Sequence, residues 1–327
     1  MIVATAPGRC GIVGNPTDIY GGSVLSISTK ERARCVLRQS SQLEANSSGE
    51  RAVFRDRSDL KQTGDKLDIV RAALTYFNIG QAEARLSIEL SSEIPMQAGM
   101  AGSTALMVAL VGALDRHFGW KLHPWAIAET ARKIEARVMG VVCGLQDQHM
   151  AVFGGINFMD FRGKEMLEQS DDEPFATIEP LSAHVPEIPL LTAHTGIQHH
   201  SGTVHSSPRE RWLAGEQLVL DTYKRIAELA RLGKRALLGA DWHTLGSLMN
   251  ENHTLVSGLG GSGPANDRLI QAAVDAGALG AKLAGAGGGG TILVLAEDLP
   301  KMRAALIDAG SDRIMEPEPS PGLTMTG

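Results

Sequence analysis

The sequence lacks the short motifs that identify several common enzyme classes. It has no Walker A pattern, no G-x-S-x-G elbow and no C-x-x-C pair. These absences exclude a P-loop nucleotide site, an α/β-hydrolase nucleophile and a thioredoxin-like redox motif. Aromatic residues are also scarce, at 4% of the 327 residues. If the protein binds a nucleotide, a different loop must hold the phosphates.

Clusters of positive charge and closely spaced cysteines are absent as well. The formal net charge is −6 and no block of lysine and arginine occurs, which argues against nucleic acid or an anionic membrane as partner. Cys10, Cys35 and Cys143 are odd in number and widely separated, unlike a disulfide framework. The first residues do not form the pattern of a signal peptide. We therefore expect a cytoplasmic protein with reduced thiols.

One segment, residues 94–114, carries no charged side chain. It is about as long as a bilayer span, but its glycines and polar residues make it less hydrophobic than a typical span. We predict a buried helix that is entered through the sequence PMQAGMAGST. Such a glycine-rich entry can hold phosphate against backbone N–H groups. A plain helix start capped by Ser103 or Thr104 fits the same residues.

The length of the chain predicts two domains, and the order of its elements favours an α+β fold over a doubly wound sheet. Long helices are expected over residues 208–233 and 240–256. The acidic, irregular stretch at 168–180 predicts the crossing between the domains. The last residues, 316–327, have the composition of a tail.

Two acidic residues follow the glycine-rich entry. On a helix over ETARKIEARVMG, Glu135 shares a face with apolar residues, where a Mg²⁺ ligand or a buried ion pair is tolerated but an unpaired carboxylate is costly. Asp147 follows in a glycine-rich turn, where a carboxylate can accept a proton or simply cap a helix. The residues alone leave these alternatives open.

A second glycine-rich segment, KLAGAGGGGTILV, contains the spacing G-x-G-x-x-G at residues 285–290. A strand-like sequence follows it instead of the helix that a dinucleotide fingerprint requires, so the Rossmann interpretation fails. The crowding of glycines predicts a close backbone approach, either to a ligand or to a neighbouring glycine loop.

Charged residues in two other segments are candidates for ligand contacts. Arg9 and Asp18 lie in turns of APGRCGIVGNPTDIYGG, where side chains often line a site and where ordinary turn chemistry is the alternative. The segment HTGIQHHSGTVHSSPRERW has four histidines without the compact spacing of a zinc site. Its Arg209 and Arg211 are suited to a substrate carboxylate, with solvated surface charge as the alternative.

Taken in order, the three glycine-rich segments resemble the three signature motifs of the GHMP kinase superfamily, which includes galactokinase, homoserine kinase and mevalonate kinase. APGRCGIVGNPTDIYGG is similar to the first motif, PMQAGMAGSTA to the phosphate loop, and KLAGAGGGG to the third motif. Within the superfamily, the segment SGTVHSSPRERWLAGE and the extra glycine of the phosphate loop resemble plant-type glucuronokinases.

The resemblance implies a role for each matching residue. The ATP phosphates would be held by Pro95, Gln97, Gly99, Ala101, Gly102, Ser103, Thr104, Gly287 and Gly288. Ser103 and Glu135 would hold Mg²⁺, and Asp147 would be the catalytic acid with Arg9 as the basic group beside it. The sugar would be contacted by Asp18, Tyr20, His205, Arg209 and Arg211. The chain departs from the family pattern at Met100, which stands for leucine, and at Thr104, which replaces a second serine.

The resemblance also implies the fold and the reaction. An N-terminal α+β nucleotide-binding domain at residues 1–180 and a ferredoxin-like C-terminal domain at residues 181–327 would enclose the site. The implied function is ATP- and Mg²⁺-dependent transfer of phosphate to the anomeric hydroxyl of a sugar or uronic acid, above all glucuronate, by a monomer or homodimer. The alternatives are a GHMP kinase for galactose, galacturonate or a heptose, and a sugar-binding sensor without turnover.

Overall fold

The computed structural model describes residues 1–95, 98–164, 173–197, 208–285 and 290–327. The strands are β1 (Ile2–Val13), β2 (Ser23–Gln39), β3 (Glu44–Ser47), β4 (Glu50–Val53), β5 (Leu86–Ser92), β6 (Ile156–Asp160), β7 (Thr177–Pro180), β8 (Leu190–His194), β9 (Gly280–Leu283), β10 (Thr291–Leu295), β11 (Arg313–Met315) and β12 (Thr324–Thr326). The helices are α1 (Asp68–Tyr76), α2 (Gly102–Phe118), α3 (Pro124–Lys133), α4 (Gln146–Phe153), α5 (residues 208–213), α6 (Gln217–Leu238), α7 (Trp242–Gly258), α8 (Pro264–Asp275) and α9 (Leu299–Asp308). This mixture confirms the predicted α+β class.

The larger sheet has eight strands, most of them antiparallel, in the path order β12-β1-β2-β5-β3-β4. Strand β2 is long enough to pair with two neighbours, with β6 along its first part and with β5 along its second. Strand β7 adds to β6. Helices α2 and α4 pack against β1 and β2, so the sheet supports both helices that follow the predicted site segments.

The smaller sheet has four antiparallel strands in the order β11-β8-β10-β9. If β8 to β11 are numbered 1 to 4 along the chain, the order in the sheet is 4-1-3-2. Helices lie between β8 and β9 and between β10 and β11, which is the ferredoxin-like arrangement. Helices α8 and α9 cover it and enclose a separate apolar cluster that includes Leu269, Ile292 and Leu306. The predicted ferredoxin-like C-terminal unit is therefore confirmed.

Helix α2 forms from the uncharged segment and lies in the main hydrophobic core. Its side chains are buried from Thr104 to Asp115, as expected for a helix that is apolar on all sides. No helix in the described ranges is long and apolar enough to cross a membrane. The missing charge therefore reflects burial within the protein.

Two details of the predicted organisation are wrong. The helix expected over 208–233 is broken, because α5 and α6 are separated by a turn in which Gly215 has a φ of +73°. The expected tail is packed: β12 pairs with β1, and Leu323 fills the space above Gly112 of α2. The domain crossing lies partly outside the described residues, and the division at residue 180 stays a prediction.

Candidate active site

The glycine-rich loop enters α2 through two residues in the left-handed conformation. Gly99 has a φ of +74° and Ala101 a φ of +61°; such a conformation is unfavourable for alanine and persists only where the surroundings enforce it. The loop is anchored to β1, because the N–H of Arg9 donates to the carbonyl oxygen of Met100 at 3.2 Å. Pro95, at the start of the loop, is partly buried.

The third glycine segment packs directly on this loop. A Cβ atom at Gly285 would lie 2.6 Å from the carbonyl oxygen of Gly99, a distance that no larger residue could accept. The prediction that the crowded glycines approach a neighbouring glycine loop is therefore confirmed for Gly285.

Arg9 joins the three motifs. Its Nε donates to Asp147 Oδ1 at 2.7 Å, and its Nη2 lies 2.7 Å from the same oxygen. Its Nη1 donates to the carbonyl oxygens of Gly99 at 2.7 Å and Ala284 at 3.2 Å. The guanidinium is almost fully buried, whereas the Asp147 side chain is 25% exposed. This fork fixes an accessible carboxylate beside the phosphate loop.

Glu135 lies deeper in the protein and contacts neutral groups. Its Oε1 accepts a hydrogen bond from Thr104 Oγ1 at 2.8 Å, and its Oε2 accepts one from Gln148 Nε2 at 2.5 Å. It belongs to a single π-helical turn, Ile134–Val138, that follows α3. Burial raises the pKa of this carboxyl to about 7, and the nearby charge of Asp147 adds to the rise, while the hydrogen bonds from Gln148 and Thr104 oppose it.

The assignment of Mg²⁺ to Ser103 and Glu135 stays a prediction. Of the two hydroxyls at the start of α2, Thr104 contacts Glu135, whereas Ser103 is exposed on the first turn. The carboxylate of Glu135 with its adjacent hydroxyl is an oxygen donor set that suits Mg²⁺, which commonly takes one or two protein ligands and completes its shell with phosphates and water. The described residues contain no cluster of three or more acidic, histidine or cysteine side chains for a metal.

Asp18 has a structural task in this arrangement. Its Oδ2 accepts from the backbone N–H groups of Leu145 at 2.8 Å and Gln146 at 3.1 Å, so it caps the start of α4 from a distant part of the chain. The carboxyl is 1% exposed, and burial raises its pKa. It therefore positions the helix that carries Asp147, and the expected sugar contact of Asp18 stays a prediction.

The expected substrate residues separate into two groups. Tyr20 stacks on Tyr223 with ring centroids 4.2 Å apart and lies beside a cavity of about 280 Å³ that Trp212 also lines. Arg209 Nε is buried without a hydrogen-bond partner among the described residues. Arg211, in contrast, is held by Glu216 through two hydrogen bonds of 2.7 and 2.5 Å. Arg209 is therefore the arginine with donor capacity left for a ligand.

Several expected residues cannot be placed: Gln97, His205, Gly287 and Gly288 lie outside the described residues. The reasoning from sequence also missed a polar cluster next to Arg9, formed by Asn15, Asn252 and Lys282. The lysine stands at the head of the third motif, but nothing in an apolar strand sequence distinguishes a buried ammonium from a surface one.

Comparison with known proteins agrees with this geometry. The model for the GHMP kinases N terminal domain matches residues 68–155, and that for the GHMP kinases C terminal domain matches residues 234–312. A loop of glycines before a buried helix, two carboxylates and a ferredoxin-like second unit define a small-molecule phosphotransferase without a Walker motif. The chain belongs to the GHMP kinases, a family of ATP-dependent kinases.

Relatives of this chain act on different acceptors. Mevalonate kinase of Pyrococcus furiosus is 26% identical, over 94% of this chain and 92% of its own. Glucuronokinase 1 of Arabidopsis thaliana is 27% identical, over 86% of this chain and 81% of its own. The structure of Lactococcus lactis galactokinase with galactose superimposes with a TM-score of 0.77 at 18% identity, covering 99% and 95% of the two chains, which is a likeness of fold.

Proposed function

We propose that the protein transfers the γ-phosphate of ATP to the anomeric hydroxyl of a sugar acid, with glucuronate as the preferred acceptor. The observation that carries the proposal is the contact of Arg9 with both Asp147 and Gly99, because it sets an accessible carboxylate beside the loop that enters α2. Phosphoryl transfer needs an acceptor hydroxyl in line with the γ-phosphate and a group to receive its proton.

Each part of the site has a task in this reaction. The backbone N–H groups from Gly99 to Thr104 and the positive end of α2 bind the phosphates. Thr104 and Glu135 would hold Mg²⁺, which when bound would supply positive charge for the transferred phosphoryl group. Asp147 takes the proton of the acceptor hydroxyl, and the Arg9 guanidinium orients the carboxylate.

The acid group of the acceptor is assigned to Arg209. Its buried Nε has no partner among the described residues, and a guanidinium with free donors is the usual partner of a carboxylate. Arg209 also lies near Tyr20, whose hydroxyl pKa is raised by burial while the charge of Arg209 opposes that rise. Arg211 contributes less, because Glu216 already pairs with it.

Mevalonate is the second candidate acceptor. Mevalonate kinases stand among the curated relatives at similar identity, and mevalonate also carries a carboxylate, so the assignment of Arg209 fits both acceptors. The two differ in the hydroxyl that receives the phosphate, an anomeric one in glucuronate and a primary alcohol in mevalonate.

The deciding experiment measures ADP release with Mg²⁺ and ATP against a panel of glucuronate, galacturonate, glucose, galactose, a heptose and mevalonate. The proposal expects turnover with glucuronate above that with the neutral sugars. Faster turnover with mevalonate than with glucuronate would identify mevalonate as the acceptor. Acceptor binding without ADP release from any compound would identify a sensor and overturn the proposed reaction.

Matched arginine variants test the contact with the acid group. We expect Arg209→Ala to raise the KM for glucuronate about tenfold or more, because a charge-assisted hydrogen bond is lost. Arg211→Ala should change it much less, since Arg211 is already neutralised by Glu216. Equal effects of the two variants, or none, would show that the assignment of Arg209 is wrong.

A further inference from the structure

The cluster next to Arg9 contains a buried ammonium group that the proposed reaction does not use. Lys282 of β9 is 1% exposed. Its Nζ donates to Asn15 Oδ1 at 2.7 Å, to the carbonyl oxygen of Gly11 at 3.1 Å and to that of Leu283. None of the described carboxylates makes an ion pair with it. All three hydrogens of the ammonium are used, and burial, together with the nearby charge of Arg9, lowers the pKa of this group to about 7.

The ammonium determines which way the Asn15 amide points. Because Asn15 Oδ1 faces Lys282, the amide nitrogen Nδ2 is turned toward the carbonyl oxygen of Gly285, 3.4 Å away. The backbone of Asn15 is fixed separately, since its carbonyl accepts from Asn252 Nδ2 at 3.1 Å. A Cβ atom at Gly11 would lie 2.6 Å from Asn15 Oδ1, so the amide fits closely over β1.

The residues at the far end of this chain of contacts touch the phosphate loop. The carbonyl oxygen of Ala284 accepts from Arg9 Nη1 and from the N–H of Gly11, both at 3.2 Å. Gly285 lies against the backbone of Gly99. A shift of the third segment would therefore move both the guanidinium that holds Asp147 and the loop itself.

We infer that Lys282 is a positioning residue: through the amide of Asn15, its ammonium holds the third glycine segment against Arg9 and the phosphate loop. An apolar side chain in its place would leave three buried oxygens without this donor, which costs stability, so the test has to separate lost stability from lost position. The inference rests on the proposed binding of ATP phosphates at the loop.

The test uses Lys282→Met, which keeps the length of the side chain and removes the charge and donors. Lys234→Met is the matched control, because Lys234 of α6 pairs with Glu179 of β7 and takes no part in the cluster. We expect the Kd for ATP of Lys282→Met to rise about tenfold or more, because a small misplacement in a preorganised site has a large effect. The KM for the acceptor should change by less than about twofold. Some fall in the melting temperature is expected, because three buried oxygens lose their donor, so ATP binding is measured well below the unfolding transition.

A second variant separates positioning from general loss of structure. Asn15→Leu keeps the size of the side chain and adds no charge, but removes the Nδ2 donor to Gly285, so it should reproduce the loss of ATP affinity, and the double variant should be no weaker than either single one. Wild-type ATP affinity in folded Lys282→Met, or purely additive effects, would overturn the inference. Absence of ATP binding by the unaltered protein would instead refute the proposed function itself, and this inference with it.

Discussion

The two carboxylates of the site lie in contrasting surroundings. Asp147 is partly exposed and contacts the Arg9 guanidinium through two nitrogens. Glu135 is buried, and its contacts are the neutral groups of Thr104 and Gln148. In the part of the chain that the structure describes, Asp147 therefore has an arginine as partner, whereas the hydrogen bonds of Glu135 come from neutral groups.

This difference separates two tasks that carboxylates perform in phosphoryl transfer. A carboxylate held by an arginine is oriented, as the group that accepts a proton must be. A buried carboxylate without a cation is destabilised as an anion, and a divalent cation bound there with the nucleotide would relieve that penalty. The contrast predicts distinct consequences when each residue is changed.

The largest effect is expected for Asp147→Asn, which keeps the shape of the side chain but cannot accept the proton. The kcat for ADP release should fall about a thousandfold, within the range of a lost general base. Asp241→Asn is the matched control, because Asp241 caps α7 far from the site and asparagine caps equally well. Turnover of Asp147→Asn near the wild-type rate would remove Asp147 from the reaction.

Glu135→Gln should lose activity and gain stability, and the gain should depend on pH. The pKa of Glu135 is raised from 4.5 to about 7 in the folded protein. As pH rises from 4.5 to 7, the carboxyl ionises in the unfolded chain but stays protonated in the folded one, so the wild-type protein loses free energy of unfolding over that interval. Above about pH 7 the neutral variant should be more stable by about 2 to 3 kcal/mol, and near pH 4.5 by little.

The measurement is denaturant unfolding without Mg²⁺ at both pH values, with the exposed Glu318→Gln as control. The site can accommodate glutamine at position 135. Among the described residues, Oε1 of Gln148 is buried without a hydrogen-bond partner, and if the Gln148 amide flips, this oxygen accepts from Nε2 of the new glutamine. A variant that is less stable at high pH would contradict the assignment of Glu135 as a destabilised carboxylate.

A smaller loss is expected for Arg9→Lys. Lysine keeps the charge beside Asp147 but lacks the planar fork that also reaches Gly99 and Ala284. We expect kcat/KM for ATP to fall about 30-fold, because bidentate arginine contacts are not replaced by an ammonium. Arg38→Lys, at an exposed pair with Glu89, should leave it unchanged. Full activity of Arg9→Lys would mean that charge alone suffices.

The smallest of these effects distinguishes the two hydroxyls at the start of α2. Thr104→Val removes the donor to Glu135 at constant size and should raise the Mg²⁺ concentration for half-maximal activity about tenfold, as loss of a metal-site contact does. Thr104→Ser should restore most of it, and Ser103→Ala should have little effect. The opposite order would favour Ser103 as the metal ligand.

Local patterns predicted the parts of the fold that depend on neighbouring residues. The uncharged segment after the glycines predicted the buried helix α2. The composition of the third segment predicted the two strands that flank its glycines. Contacts between distant segments were not predictable in this way. The pairing of β12 with β1 and the cap that Asp18 gives α4 join residues that no spacing rule relates.

The same limit applies within the site. Pattern and resemblance together singled out Arg9, Glu135 and Asp147 and assigned Mg²⁺ to Ser103 and Glu135, which stays a prediction, but they did not indicate that the helix turns Thr104 toward Glu135. Which of two adjacent hydroxyls faces inward depends on where the helix begins, and a left-handed Ala101 before it is not foreseeable from propensity. Lys282 was not identified from the sequence because its partners, in β1 and just after it, are far away along the chain.

The most direct test of the division between the two carboxylates is the Kd for ATP measured with and without Mg²⁺ in Asp147→Asn and Glu135→Gln. We predict that Asp147→Asn keeps the full increase in affinity that Mg²⁺ gives the wild-type protein, and that Glu135→Gln loses most of it. An unchanged Mg²⁺ effect in Glu135→Gln, or its loss in Asp147→Asn alone, would contradict the account.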